Sequence, residues 1–199
     1  RCTGGFGLPA WELYYKAAIL TWIKYWANLR NKRVLTLEGH DLEAGWHAFM
    51  WNPGNKNYTH FNRHIIRSSL LKVWKEIKHK HYMKIPGWVS VMEALIHPNA
   101  LETGRNIRYY DVLNPQGELR TNQELREQGM KIEWWPYLQL KTRYKKDMEE
   151  FGIEIKPNQL DKILEGTDEK LISKMYNYLL EYEMVEEIVK GAMIDEQGM

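Results

Sequence analysis

Apolar residues recur every three or four positions from Trp11 to about Leu29, a pattern that predicts a helix. Trp11, Tyr15, Ala18, Trp22 and Trp26 share one side of it, and Tyr14 and Ile19 widen the stripe. Pro9 suits the first turn, where a missing N–H costs nothing. Such a face is expected to pack against something rather than lie open as a ring platform for nucleic acid. Residues 30–58 are mixed, with a basic cluster at Arg30, Lys32 and Arg33 and a turn at Asn52-Pro53-Gly54-Asn55. Between them a short helix fits Asp41 to Met50, with Leu42, Trp46 and Phe49 or Met50 inward.

Residues 59–82 read as a second major helix, apolar along Ile66, Leu70, Val73 (or Trp74) and Ile77. Lys84-Ile85-Pro86-Gly87-Trp88 ends it. A short apolar run from Val89 to Ile96 stops at His97-Pro98-Asn99. Ile107, Tyr109 and Val112 are strand-like ahead of a turn at Asn114-Pro115-Gln116-Gly117. Thr121 and Glu124 have capping-box spacing and start a helix that Gly129 stops. Another helix is expected from about Trp134 to Met148, with Trp135, Leu138, Leu140 and Tyr144 as its apolar points. Pro157 opens a short helix that Gly166 closes, and Thr167 or Asp168 caps a last one over roughly 168–190. The expected fold is mainly α, an irregular helical bundle with a small strand-like or turn insertion around residues 106–119. Two regions are expected: residues 1–100, with the basic helix, and residues 101–199, with an acidic C-terminal helix.

The apolar fraction, 44% of 199 residues, can supply a core, and nine Trp can staple a small helical one. A net charge of only +2 hides segregation. Residues 56–84 carry Lys56, Arg63, Arg67, Lys72, Lys75, Lys78, Lys80 and Lys84 against one acid, Glu76, while acids dominate beyond residue 147. A helix displaying Arg63, Arg67, Lys75 and Lys78 can lie along a phosphate backbone. Trp74, Tyr82 and Trp88 are interleaved where they could stack on an unpaired base. The alternatives are an ordinary solvated basic face, or docking onto an acidic protein.

Cys2 is the only cysteine, which excludes an intrachain disulfide and a cysteine-based metal site and favours a reducing, intracellular setting, cytoplasmic or nuclear. No apolar run reaches membrane-spanning length, and Arg1-Cys2-Thr3-Gly4-Gly5 reads as the middle of a longer polypeptide. No phosphate loop, dinucleotide fingerprint, nucleophile elbow or zinc motif is present. His79 and His81, two apart, do not share a helix face as metal ligands would. No carboxylate pair stands out as acid and base. An enzyme would need distant partners such as His64 or His97 with Glu93.

Three stretches point to a family. Gly4-Gly5-Phe6-Gly7-Leu8-Pro9, followed by Leu13-Tyr14-Tyr15-Lys16-Ala17-Ala18, resembles a junction in LINE-type (non-LTR) retrotransposon polyproteins, where the polymerase palm gives way to the helical thumb. Gly117-Glu118-Leu119, Glu124-Leu125 and Trp135-Pro136-Tyr137-Leu138-Gln139-Leu140-Lys141 resemble a later stretch of the same proteins. Leu171-Ile172-Ser173-Lys174-Met175-Tyr176-Asn177 is similar to a third. The matches fall in family order across nearly the whole chain.

The resemblance implies a parent reverse transcriptase that uses magnesium at a Tyr/Phe-x-Asp-Asp motif. This chain has no such motif, so it inherits no catalytic residue and no cofactor. It implies instead a thumb-like region over residues 1–100 and a wrist-like region over 101–199, which help hold RNA template and nascent DNA, as a hybrid, while the palm adds nucleotides. The nucleic-acid contacts expected on this reading are Lys16, Lys24 and Arg30 in the first thumb element, and Arg63, Arg67, Lys75, Lys78 and Trp74 in the basic helix. Trp11, Tyr15, Trp22 and Trp26 would dock on the missing palm or mediate self-association. The alternative is a structural or protein-interaction module that docks through this Trp-rich helix.

Overall fold

The computed structural model describes residues 9–29, 35, 42, 45–51, 64–82, 84–93 and 105–197, with residues 186–197 described by backbone alone. The first helix, α1 (Trp11–Asn28), ends where Leu29 turns left-handed at φ 49° and its N–H returns to the Trp26 carbonyl. This helix is apolar nearly all round, so it had two stripes to offer the core. The aliphatic one wins: Leu13, Ala17, Leu20, Ile23 and Ala27 are buried, while Trp11, Tyr15 and Trp22 face out. Small and branched side chains let neighbouring helices approach closely, which a row of indoles does not. Trp26 alone of the expected aromatic stripe turns inward, its ring 4.9 Å from that of Trp46.

Eight helices are present among the described residues. The chain continues through α2 (Trp46–Trp51) and α3 (Ile65–His81). The helix expected over 59–82 begins only at Ile65, because His64 before it is extended at φ −75°, ψ 117°, and residues 59–63 lie outside the described set. Leu70, Val73, Trp74 and Ile77 form the buried side of α3, whereas Ile66 is exposed. The 106–119 insertion is shorter in strand than its alternation suggested. Ile107–Arg108 is extended, but Tyr109–Val112 coils into α4, because the Asp111 carboxylate caps its first turn through the Arg108 N–H at 2.8 Å. The turn beyond it is flanked by a single bridge between Leu113 and Leu119.

The capping box is present at the head of α5 (Asn122–Glu127): Thr121 N–H donates to Glu124 at 2.7 Å, and the Glu124 N–H to the Thr121 hydroxyl at 3.3 Å. Then come α6 (Trp134–Glu150), α7 (Gln159–Glu165) and α8 (Leu171–Gln197). Asn158 is the N-cap of α7. Asp168 does not begin α8, which starts after Lys170 at φ 49°.

Among the described residues two short strand pairs stitch distant segments together. β1 (Ile85–Pro86) runs parallel to β4 (Ile153–Glu154), and β2 (Ser90–Met92) antiparallel to β3 (Ile107–Arg108) with an irregularity between Ser90 and Met92. Gly87, between β1 and β2, lies under the Tyr110 ring, and a Cβ there would sit 2.1 Å from it. One buried cluster runs from Leu13 to Leu179, with α1 against α3, α7 and α8. Residues before and after position 100 both contribute to it, and position 100 itself lies outside the described residues. Asp161, in α7, anchors this core: its carboxylate accepts the Tyr82 hydroxyl at 2.8 Å, the Trp88 indole N–H at 2.7 Å and the Asn158 N–H at 2.8 Å.

Candidate nucleic-acid interface

Lys24 is a core residue, with 2% of its side chain exposed. Its ammonium donates to the carbonyls of Gly166 (2.7 Å), Thr167 (3.2 Å) and Ile163 (3.3 Å) and pairs with Asp168 at 3.1 Å. A helix end leaves unsatisfied carbonyls that attract a cation, and Lys24 fills that role for α7. It is therefore not placed to meet a phosphate. Lys16 is also engaged, bridging Glu76 at 2.8 Å and Glu12 at 3.0 Å. Lys78 lies 5.4 Å over the Trp51 ring and donates to the Met50 and Trp51 carbonyls. Burial, with a smaller push from Lys75, lowers its pKa to about 8.

The expected stacking residues turn inward as well. Trp74 is 1% exposed and its indole N–H donates to the Met50 carbonyl at 2.9 Å. Trp88 and Tyr82 are bound to Asp161 and buried. Trp is large enough that, once one edge finds a hydrogen-bond acceptor, the core is its best place. Arg30 and Arg63 lie outside the described residues, Arg67 is half-buried, and Lys75 is exposed.

What α3 does present outward is a row at one-turn spacing: Lys72, Lys75 and His79, with Lys80 beside it. The row spans roughly 10 Å along the helix. Lys16 matters to it indirectly. Glu76, the acid among these cations, has its carboxyl held below the usual range, first by the Lys16 hydrogen bond. Lys72, Lys75 and Lys80 outnumber this one ionised acid, so the face carries a surplus of positive charge. Lys72 and His79 were within reach of the sequence, since their i, i+3, i+7 relation to Lys75 puts them on the side opposite Leu70 and Ile77.

The outer side of α1 is different in kind. Trp11 is 69% exposed, Trp22 58% and Tyr15 50%, and Tyr14 and Tyr25 join them on the same stripe. Trp11 contacts Tyr14, and Trp22 contacts Tyr25, edge to face. Of the four residues expected to dock a partner, three are thus displayed, and Trp26 is a core residue at 4%.

Glu93 and His47 are structural. The Glu93 carboxylate accepts the N–H groups of Trp46 (2.9 Å) and His47 (2.7 Å) at the head of α2. Gly45 leaves it room, since a Cβ there would sit 2.7 Å from that carboxylate. His47 Nδ1 accepts the Ser90 N–H at 2.6 Å, so Nε2 carries the proton and donates to the Ala27 and Trp26 carbonyls. Burial pushes Glu93 up to about 7 and His47 down to about 3. Glu93's raised pKa makes stability fall as pH rises from 4.5 to about 7, whereas His47's lowered pKa makes it rise from about 3 to 6.5. Between 4.5 and 6.5 the two slopes cancel. In Glu93→Gln the His47 slope stands alone, so stability should rise by about 1.4 kcal/mol per pH unit there, relative to the parent chain. Denaturant unfolding at both ends of that window reads it, and parallel profiles for the two chains would refute the pairing.

Among the described residues no group of three or more His, Cys, Asp or Glu could hold a metal ion, and no helix is long and apolar enough to cross a membrane. Comparison with known proteins finds no match: no family model, no curated protein and no solved structure is significantly similar to the chain.

Proposed function

We propose that the chain is a non-catalytic segment of a LINE-type reverse transcriptase that helps hold the RNA template and nascent DNA during synthesis. The observation that carries this reading is the outward row of Lys72, Lys75 and His79, set against one exposed acid, Glu76, which pairs with Lys16. Such a row can lie along a phosphate backbone without reading sequence. The three motif resemblances supply the polymerase context. Catalysis belongs to the palm, for whose aspartates this chain has no counterpart. Replacing Lys72 and Lys75 with Ala is expected to weaken binding of a labelled RNA/DNA hybrid about tenfold at low salt and to lower the salt slope by about two. An unchanged affinity would remove α3 from the interface.

A second reading is favoured by the α1 stripe: docking of its exposed rings onto an apolar protein surface, which the same resemblance would make the palm. Within the motif Leu13-Tyr14-Tyr15-Lys16-Ala17-Ala18, packing accounts for Leu13 and Ala17, which are buried, and in part for Tyr14, whose ring meets Tyr176, but not for Tyr15, which is half exposed. Rings displayed in a row are the ordinary mark of a partner surface. Apolar docking is insensitive to salt, whereas backbone binding is not.

A further inference from the structure

Away from both surfaces, an open cleft of about 720 Å³ lies between β3, the head of α4 and the segment that joins α5 to α6. Arg105, Arg108 and Lys131 line it, and a smaller adjoining hollow shares Lys131 and adds Arg126. The acids there are Asp111, one of whose oxygens is taken by the Arg108 N–H, and Glu133. Arg108 is partly neutralised by Glu165 at 3.2 Å, so Arg105, Arg126 and Lys131 set the sign of the cleft. Gly129, at φ 84°, forms part of the wall and faces open space, so a ligand can approach the backbone there.

Three and four residues beyond Lys131 stand Trp134 and Trp135, 64% and 69% exposed at the start of α6. Three and four residues of chain span at most about 11 and 14 Å, so both residues lie within the reach of a short strand that also contacts Lys131, although neither lines the cleft itself. Trp134 is backed by Tyr137, whose ring is 6.2 Å away at 30°, and Tyr137 is itself pinned by its hydroxyl to the Arg120 carbonyl at 3.1 Å. Trp134 remains 64% exposed beside this contact. Nothing in the fold requires two large rings to stand in solvent at this point.

We propose that this cleft and the Trp134–Trp135 pair form a binding site for a single-stranded stretch of RNA or DNA, with phosphates on Arg105 and Lys131 and bases stacked on the two indoles. A duplex is the wrong ligand, because its bases stack on each other and cannot reach the rings, whereas a cationic groove beside aromatic platforms fits an unpaired strand of any sequence. The site is separate from the α3 row and does not depend on the hybrid-holding role.

The test uses the full chain and fluorescein-labelled uridine and thymidine oligomers. All four side chains are exposed, and far-UV circular dichroism checks that the variants fold as the parent does. Replacing Arg105 and Lys131 together with Ala should weaken binding and flatten its salt dependence by about 1.4, the share of two single-strand phosphates. Replacing Trp134 and Trp135 together with Ala should weaken binding at least about tenfold and leave that slope intact. A preference for uridine or thymidine oligomers then assigns the strand as RNA or DNA. The site is overturned if neither oligomer binds, or if either double variant binds as the parent does. It is also overturned if inorganic polyphosphate competes equally well whether or not the indoles are present, which would make the cleft a sink for charge alone. The hybrid test on α3 uses other residues and another probe, so each proposal can fail without the other.

Discussion

Lys24→Ala should lower the stability of the fold by about 3 kcal/mol while leaving affinity for nucleic acid unchanged. The ammonium satisfies three carbonyls at the end of α7 and pairs with Asp168, and 2% of the side chain is exposed. Truncation leaves those carbonyls without their cation and a cavity where the side chain ran between α1 and α7. Lys24→Met fills the cavity but not the charge, and should recover only part of the loss. Urea unfolding with hybrid binding measured in parallel reads both effects. A loss of affinity at unchanged stability would return Lys24 to the surface role that the family resemblance implies for it.

Asp161→Ala is expected to cost more, about 3–5 kcal/mol. Three donors converge on this carboxylate, two of them from the buried side chains of Tyr82 and Trp88. Burial, the largest cause of the raised Tyr82 hydroxyl pKa, persists without Asp161, so Tyr82 does not escape the mismatch by ionising. Asp161→Asn keeps an acceptor and should fall between the two. The carboxylate also closes the N-terminal box of α7, so hydrogen exchange in Gln159–Glu165 should accelerate along with the global loss. A melting temperature within a degree or so of the parent's would contradict the anchoring role.

The helices were readable because their signals are local. Periodicity marks α1, α3 and α6, and the Thr121–Glu124 box marks the start of α5 to the residue. Which side of a helix packs was harder to read. In α1 the eye follows the indoles, while the core takes Leu13, Ala17, Leu20 and Ile23. A helix apolar on both sides does not declare its inner face until its neighbours are known. The two-residue strands β1 and β4 carry no periodicity at all. They exist because residues 85 and 153 meet in space, and that partnership is invisible in either segment.

The candidate site was readable in outline only. Charge segregation located the cations of α3, but not which were spent. Lys16 and Lys78 are drawn off by Glu76 and by the carbonyls of Met50 and Trp51, distant partners that only folding brings together. Lys72 and His79 remain outward for the plain reason that they lie opposite Leu70 and Ile77. Trp74 reads equally well as platform or as core, and the Met50 carbonyl decides for core. The cleft at Arg105 and Lys131 draws on segments some 25 residues apart, with no motif in either.

The most direct test of the nucleic-acid-holding role is the affinity of the unmodified chain for a labelled RNA/DNA hybrid across a salt series, with duplex DNA measured beside it. The account predicts tight binding at low salt that weakens steadily as salt rises, with the hybrid preferred. No binding at low salt, or an affinity indifferent to salt, would contradict it and leave docking through the aromatic stripe of α1 as the reading that stands.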